Sequence, residues 1–218
     1  MTLGARASGL SGSRYIGREN VAKRLRTLAG SPGRAVYRDG SARFELDEAV
    51  LTVTPPFGLE HEGEYDVLRV EPLLEALEAA PTVAVLLVRM GGYAAGVFEG
   101  EKLVASKVGT RFVKGRHKKG GSSANRFRRR RGEQERELID AAAEEAARVL
   151  GPWHDRVQHV ALGGDRSAVS RVLESRADLA WMQPLALERF FDVVEPRLRV
   201  LEALPYQLYA AKVVEEPV

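Results

Sequence analysis

Residues Thr82 to Met90 read TVAVLLVRM, and everything from Val83 to Val88 is apolar. A strand with one wet face alternates apolar and polar side chains, so this unbroken run fits a strand buried on both faces. A sheet built around it needs cover above and below. The run is too short to span a bilayer, which takes about 20 apolar residues as a helix. With 218 residues, 44% of them hydrophobic, the chain can bury one good core or a core with a smaller companion.

The flanking turn signals extend this strand into a region. Gly91-Gly92 leads into Tyr93–Phe98 and Gly100-Glu101 into Lys102–Val108, which makes a three-stranded meander. A loop from Gly109 to Asn125 follows, then a long helix from Arg126 to Leu150 whose Leu138, Ala142, Ala146 and Val149 share one face and which Gly151-Pro152 ends. Val157–Leu162 reads as a strand, Gly163-Gly164-Asp165 as a turn with a helix N-cap, and Arg166–Ala177 as an amphipathic helix. The tail from Leu198 to Ala211, broken by Pro205, is expected to return a last strand to the same sheet.

Upstream, Asn20–Ala29 has helical spacing in Val21, Leu25 and Leu28 and stops at Ser31-Pro32-Gly33. Asp39-Gly40 joins strands Arg34–Arg38 and Ser41–Leu46 as a two-residue hairpin, and Ala49–Thr54 is a third strand. Pro56–Tyr65 reads as a connector and Val67–Ala80 as a helix with Pro72 near its first turn. The expected fold class is α/β (α+β): a mixed sheet with covering helices over residues 81–218, preceded by a small α+β region over residues 1–80, with the boundary at Pro81.

The charge is concentrated in one place. Between Arg111 and Arg131 the chain reads RFVKGRHKKGGSSANRFRRRR, ten Lys or Arg in twenty-one residues with no acid. The whole chain carries +3, so without those ten positives the remainder stands at −7. Such local basicity points to a polyanion meeting one loop, and a phosphate backbone fits because each contacting cation releases condensed counterions. The candidate contacts are Arg111, Lys114, Arg116, Lys118, Lys119, Arg126, Arg128, Arg129, Arg130 and Arg131. Four consecutive arginines cover more than one helical turn, so at least two face away from any core. Glu133 is placed to pair with Arg129 at i,i+4.

Other chemistries find little support. There is no cysteine, so disulfide and thiolate chemistry are excluded, and the four histidines lack zinc-ligand spacing. No metal and no cofactor is expected. The start from Met1 to Ser13 lacks the apolar stretch of a secretion signal, which with the absence of a spanning run implies a cytoplasmic protein without membrane contact. Ser122, His117 and Asp165 do not make a serine-hydrolase triad, because no G-x-S-x-G elbow follows a strand. Gly163-Gly164-Asp165 lacks the G-x-G-x-x-G pattern, which leaves Asp165 as a helix cap. Trp153 and Trp181 read as packing residues, and His154 and His159 as surface or packing residues.

Gly120-Gly121-Ser122-Ser123-Ala124-Asn125-Arg126-Phe127, with arginines following on a helix, resembles the catalytic loop of class-1 peptide chain release factors of the eukaryotic and archaeal type. In that superfamily Gly-Gly-Gln precedes Ser-Ala-x-Arg-Phe, matched here by Ser123, Ala124, Arg126 and Phe127. The lead-in Gly115-Arg116 before Gly120-Gly121 is similar to the bacterial branch related to the mitochondrial-stress ribosome-rescue peptidyl-tRNA hydrolases. Val160-Ala161-Leu162-Gly163-Gly164 is similar to the Leu-x-Gly segment after the long helix of the superfamily. The resemblance runs from about Pro81 to Ala211 and implies an RNase H-like mixed sheet. One departure stands out: the positions that hold the family's glutamine are here Ser122, Ser123 and Ala124, and the nearest carboxamide is Asn125.

The resemblance implies a ribosome partner, at the large subunit, with tRNA and rRNA as the polyanions and no DNA. It implies a peptidyl-tRNA hydrolase whose reaction centre involves Gly120, Gly121, Ser122, Ser123 and Asn125. The two glycines let backbone approach a bulky substrate, and the Ser122 N–H can serve as an oxyanion donor. Residues 1–80 offer no recognisable codon-reading domain, so the expected role is stop-codon-independent release from stalled ribosomes. Loss of the glutamine leaves a second reading open, a catalytically inactive ribosome or tRNA binder acting in stalling or dormancy.

Overall fold

The computed structural model describes residues 12–110 and 123–218, with backbone alone for 123–128. The chain divides into two compact units, one of residues 1–79 with Pro205–Val218 and one of Ala80–Leu204.

In the first unit, β1 (Arg14–Gly17), β2 (Arg34–Arg38), β3 (Ser41–Glu45), β4 (Ala49–Thr54), β5 (Gly63–Tyr65) and the last strand, Ala210–Pro217, form one antiparallel sheet. The helices α1 (Arg18–Leu28) and α2 (Glu71–Glu78) bury Val21, Leu25, Leu73 and Leu77 with the inward face of that sheet, including Ala35, Tyr37, Phe44, Leu51 and Val53. The Asp39-Gly40 turn has positive φ at both residues, as a two-residue hairpin requires. Pro72 lies in the first turn of α2, where its missing N–H costs nothing. The buried phenol of Tyr37 donates to the Arg69 carbonyl at 2.5 Å, and burial raises its pKa. The segment expected as a connector, Pro56–Tyr65, ends in the short edge strand β5, which completes the sheet beside β2.

In the second unit, β6 (Thr82–Arg89), β7 (Gly92–Glu99) and β8 (Lys102–Thr110) form the expected meander. Next come α3 (Ser123–Leu150), β9 (His159–Gly164), α4 (Arg166–Ser175), β10 (Ala186–Phe191) and α5 (Leu198–Glu202). The sheet order is β10-β9-β6-β7-β8, with β9 parallel to β6 and β10 parallel to β9. This is the mixed, RNase H-like α+β arrangement that the resemblance implied.

Both faces of β6 are covered. Ala84, Leu86 and Val88 pack with Leu138, Ala142 and Ala146 of α3 and with Val169 and Val172 of α4. On the opposite face Val83, Val85 and Leu87 are equally inaccessible. There α5 lies so close to β7 that a Cβ on Gly96 would sit 2.9 Å from Leu201. Double burial accounts for the absence of alternation in the run.

Three expectations are corrected. Strand β10 was not foreseen, because its sequence ALERFF breaks the apolar pattern with Glu188 and Arg189; it is an edge strand, where charge is tolerated. Helix α3 starts at Ser123 and not at Arg126, since alanine and arginine are good helix formers and no glycine or proline intervenes. The tail, assigned with residues 81–218 to the second sheet, supplies β11 (Ala210–Pro217) to the first sheet, between β1 and β4. There Ala211 and Val213 are buried while Lys212 is exposed, an alternation that suits a sheet with one wet face.

Glu215 of β11 ties the first unit together by accepting from Arg24 of α1 at 2.5 Å and from Arg14 of β1 at 3.2 Å. Hydrogen bonding from Arg24, more than simple proximity to charge, holds its carboxyl below the ordinary glutamate value. A lowered folded pKa contributes stability that is complete above the unfolded value, about 4.3, and is lost as pH falls through the folded one. Glu215→Gln is therefore expected to be less stable than the parent near neutral pH and equal to it in acid below the glutamate range, as followed by thermal melts across pH. The effect is modest because the ion pairs are part-exposed.

A candidate RNA-facing loop at one end of the mixed sheet

The ladder register places the root of the basic loop. Thr110, the last residue of β8, pairs with Gly92, and Gly92 pairs with Arg89 at the end of β6. Val88 pairs with Gly164 at the end of β9, and Gly163 with Phe191 at the end of β10. The parallel strands β6, β9 and β10 therefore finish at the same end of the sheet from which residues 111–122 depart. Crevices beyond the carboxyl ends of parallel strands are where α/β sheets commonly take ligands.

Two close approaches shape this end. Gly109 faces Tyr93 across the β7–β8 ladder, and a Cβ on Gly109 would lie 2.2 Å from the Tyr93 ring. The buried ring thus occupies the space where a side chain would stand, just before the loop leaves the sheet. Gly164, with φ of 98°, sits so tightly on β6 that its Cβ would come 2.2 Å from the Val88 carbonyl oxygen. The next residue, Asp165, donates its N–H to that same carbonyl at 2.7 Å. Its carboxylate then caps α4, accepting from Ser167 N at 2.9 Å and Ala168 N at 3.1 Å. The Ser167 hydroxyl, followed by these amides and the Arg89 charge, holds Asp165 below its ordinary pKa. Helix capping is the role of this residue, and no acid–base duty is left for it in a triad.

Helix α3 carries the arginines back from the loop. Among the candidate contacts, Arg111, Lys114, Arg116, Lys118 and Lys119 lie outside the described residues, as do Gly120, Gly121, Ser122 and His117. Ser123, Asn125, Arg126 and Arg128 fall on the first turns of α3. Arg129 and Arg130 are exposed and Arg131 half-buried. Arg129 donates to Glu133 at 3.3 Å, the i,i+4 pair expected from the sequence.

Glu135 on α3 accepts from Arg171 on α4, and this part-buried pair joins the two helices. Arg171 is five residues into α4, whereas Glu135 is twelve residues into α3.

The remaining candidates have structural roles. Trp153 and Trp181 are partly buried against the core, and Arg156 stacks 4.4 Å above Trp153. His154 lies beside Asp155 at the surface, and burial lowers the pKa of His159. Among the described residues no cluster of His, Cys, Asp or Glu could hold a metal ion, and no helix is long and apolar enough to cross a membrane. Sequence reasoning missed that Tyr93 packs over Gly109 and that Arg89 and Arg166 come to this sheet end, because these residues sit on four separate segments.

Gly109→Val is expected to lower stability by about 1–3 kcal/mol through forced displacement of Tyr93, and Asp165→Ala by about 1 kcal/mol through loss of the cap. Urea unfolding measures both; an unchanged midpoint for Gly109→Val would remove Tyr93 as the support of the loop root.

Residues 81–214 match the model of the family described as Actinobacteria/chloroflexi VLRF1 release factor. No curated protein matches the sequence. Among solved structures, the chain is similar to the archaeal translation termination factor aRF1, with 16% identity and a TM-score of 0.42 over 74% of this chain and 49% of that one. It is also similar to S. cerevisiae Dom34, a translation termination-like factor involved in RNA quality control pathways and interacting with Hbs1, with 8% identity and a TM-score of 0.36. That match covers 88% of this chain and 64% of Dom34. The chain thus spans about half the length of the termination factor and under two thirds of Dom34.

Proposed function

The chain belongs to the Actinobacteria/chloroflexi VLRF1 release factor family, and from this membership we propose that it frees nascent chains from peptidyl-tRNA on stalled ribosomes without reading a stop codon. The observation that carries this reading is the acid-free basic stretch around Gly120-Gly121, set between a sheet end and an arginine-rich helix. In this role the protein works in the cytoplasm at the large ribosomal subunit. Its loop lysines and arginines neutralise tRNA and rRNA phosphates without reading bases.

The reaction is hydrolysis of the ester between the nascent peptide and the tRNA ribose. Water adds to the ester carbonyl carbon, the tetrahedral oxyanion collapses, and the ribose oxygen leaves with a proton. Two needs follow: water held beside the carbonyl and N–H donors aimed at the developing oxyanion. Gly120 and Gly121 let the backbone come close, and the Ser122 N–H is a donor that does not depend on side-chain identity. The Ser122 and Ser123 hydroxyls, with the Asn125 carboxamide one methylene shorter than glutamine, are the polar groups at hand to order the water.

The absence of glutamine at positions 122–124 favours a second reading, a ribosome or tRNA binder that occupies the peptidyl-tRNA path without hydrolysis. Release of labelled peptide from purified ribosomes carrying peptidyl-tRNA separates the two. Hydrolysis predicts release above the no-protein control, abolished by Gly121→Val while salt-sensitive ribosome binding persists. No release at confirmed occupancy would make the protein a binder. Affinity itself is expected to fall steeply with salt, and a flat salt dependence would overturn the phosphate contacts.

A further inference from the structure

One strand of the first sheet reaches it only after the chain has built the second unit. β11 stands between β1 and β4, with Arg14–Gly17 paired to residues 210–213 on one side and Ala49–Thr54 paired to residues 212–217 on the other. From β4 to β11 the chain runs through β5, α2 and the whole of the second unit. Among the described residues β1 has no ladder partner except β11. It leads directly into α1, since Gly17 ends the strand and Arg18 begins the helix.

β11 also holds the helix. Ala211 and Val213 are buried in the same core as Val21, Ala22 and Leu25 of α1. One carboxylate, that of Glu215, accepts from Arg14 on β1 and from two nitrogens of Arg24 on α1. The surface ion pair between α1 and α2, Arg26 with Glu78 at 3.3 Å, is exposed on both sides and contributes little. By contrast β2, β3, β4 and β5 pair with one another without help from β11. Elements that share one fastening open as a cooperative group.

The second unit decides whether β11 is within reach. A Cβ on Gly100 would come 3.5 Å from the Ala80 Cβ, and one on Gly96 would come 2.9 Å from Leu201. Gly96 lies on β7 and Gly100 just past its end, so the folded unit holds its entry at Ala80 and its exit near Leu201 on the order of 15 Å apart. Unfolded, a chain of about 120 residues spreads its ends over roughly 60 Å. Closing so long a flexible loop costs entropy that grows with its length. The core under α3 and α4, in turn, takes no residue from the first unit.

We propose that β11 is a strap that fastens β1 and α1 to the rest of the first sheet and that the folded second unit keeps it within reach. The dependence runs one way. The first unit can open along β11 while the second stays folded, whereas β1 and α1 cannot stay fastened once the second has unfolded. The unit that carries residues 111–131 therefore keeps its fold whether β1 and α1 are fastened or not.

Pulsed hydrogen exchange read by mass spectrometry, on the full chain across a urea titration, tests the strap alongside Trp fluorescence. Both tryptophans, Trp153 and Trp181, lie in the second unit, so their signal follows that unit. The proteins are the parent, Val213→Ala, which removes buried methyl groups from the strap, and Glu215→Gln, which keeps the side-chain shape and loosens only its charged tie. Circular dichroism checks the fold of each, and Glu215→Gln carries the comparison if Val213→Ala does not fold. In the parent, β11, β1 and α1 are expected to lose protection in one transition, at lower urea than β2, β3 and the Trp signal. Val213→Ala should move that transition down by about 0.5–1 M urea, and Glu215→Gln by less, with the Trp midpoint unmoved in both. A shift of β11 without β1 and α1 would overturn the strap, since other contacts would then hold them. Loss of β2 and β3 in the same transition would overturn it too, because the first unit would open as one piece. Protection of β1 and α1 beyond the Trp transition, or a Trp midpoint that moves with the variants, would overturn the one-way dependence.

Discussion

The close approach of β9 to the end of β6 is the contact on which the second unit depends. Val88 pairs with both Tyr93 and Gly164, and its carbonyl accepts from Asp165. No side chain fits between the strands at Gly164, where a Cβ would fall 2.2 Å from the Val88 oxygen. The glycine pair at 163–164 thus lets the parallel strand close against the central one. It also delivers Asp165 to the start of α4 at the same level as the turn between β6 and β7. One short segment decides where three strand ends and a helix start converge.

Residues 111–122 are flanked by β8, whose Gly109 lies against the Tyr93 ring, and by α3, whose Leu138, Ala142 and Ala146 are wholly buried in the core. Burial of such a face stabilises a helix by about 1.5–3 kcal/mol for a leucine alone. The anchored part can therefore carry the exposed Arg129 and Arg130. The Glu135–Arg171 pair joins α3 to α4 but adds little net energy at its part-exposed site. The rest of the chain is net acidic, so the excess positive charge is confined to residues 111–131.

The first unit follows a different logic. Its sheet is antiparallel with helices over one face, and its strands alternate as such sheets do: β2 and β3 each bury every second residue. The same alternation in Ala210–Pro217 shows why the end of the chain pairs with β4 and not with the doubly buried strands of the second sheet. Once the chain returns there, Glu215 meets Arg24 from a helix almost two hundred residues earlier in the sequence.

Periodicity and turn chemistry were sufficient for the local elements. The apolar run at β6, the Asp39-Gly40 hairpin, the four-residue stripe of α3 and the Asp165 cap are each short-range patterns, so the amino-acid order alone determined them. So was the segregation of charge into residues 111–131, because charge needs no partner to be counted. The placement of β11, the existence of β10 and the meeting of Arg89 and Arg166 at one sheet end were decided only by tertiary structure. Each depends on which strand pairs with which across long separations. Such pairing is set by burial and ladder hydrogen bonds in the assembled sheet, and an edge strand such as ALERFF carries too little local signal to announce it.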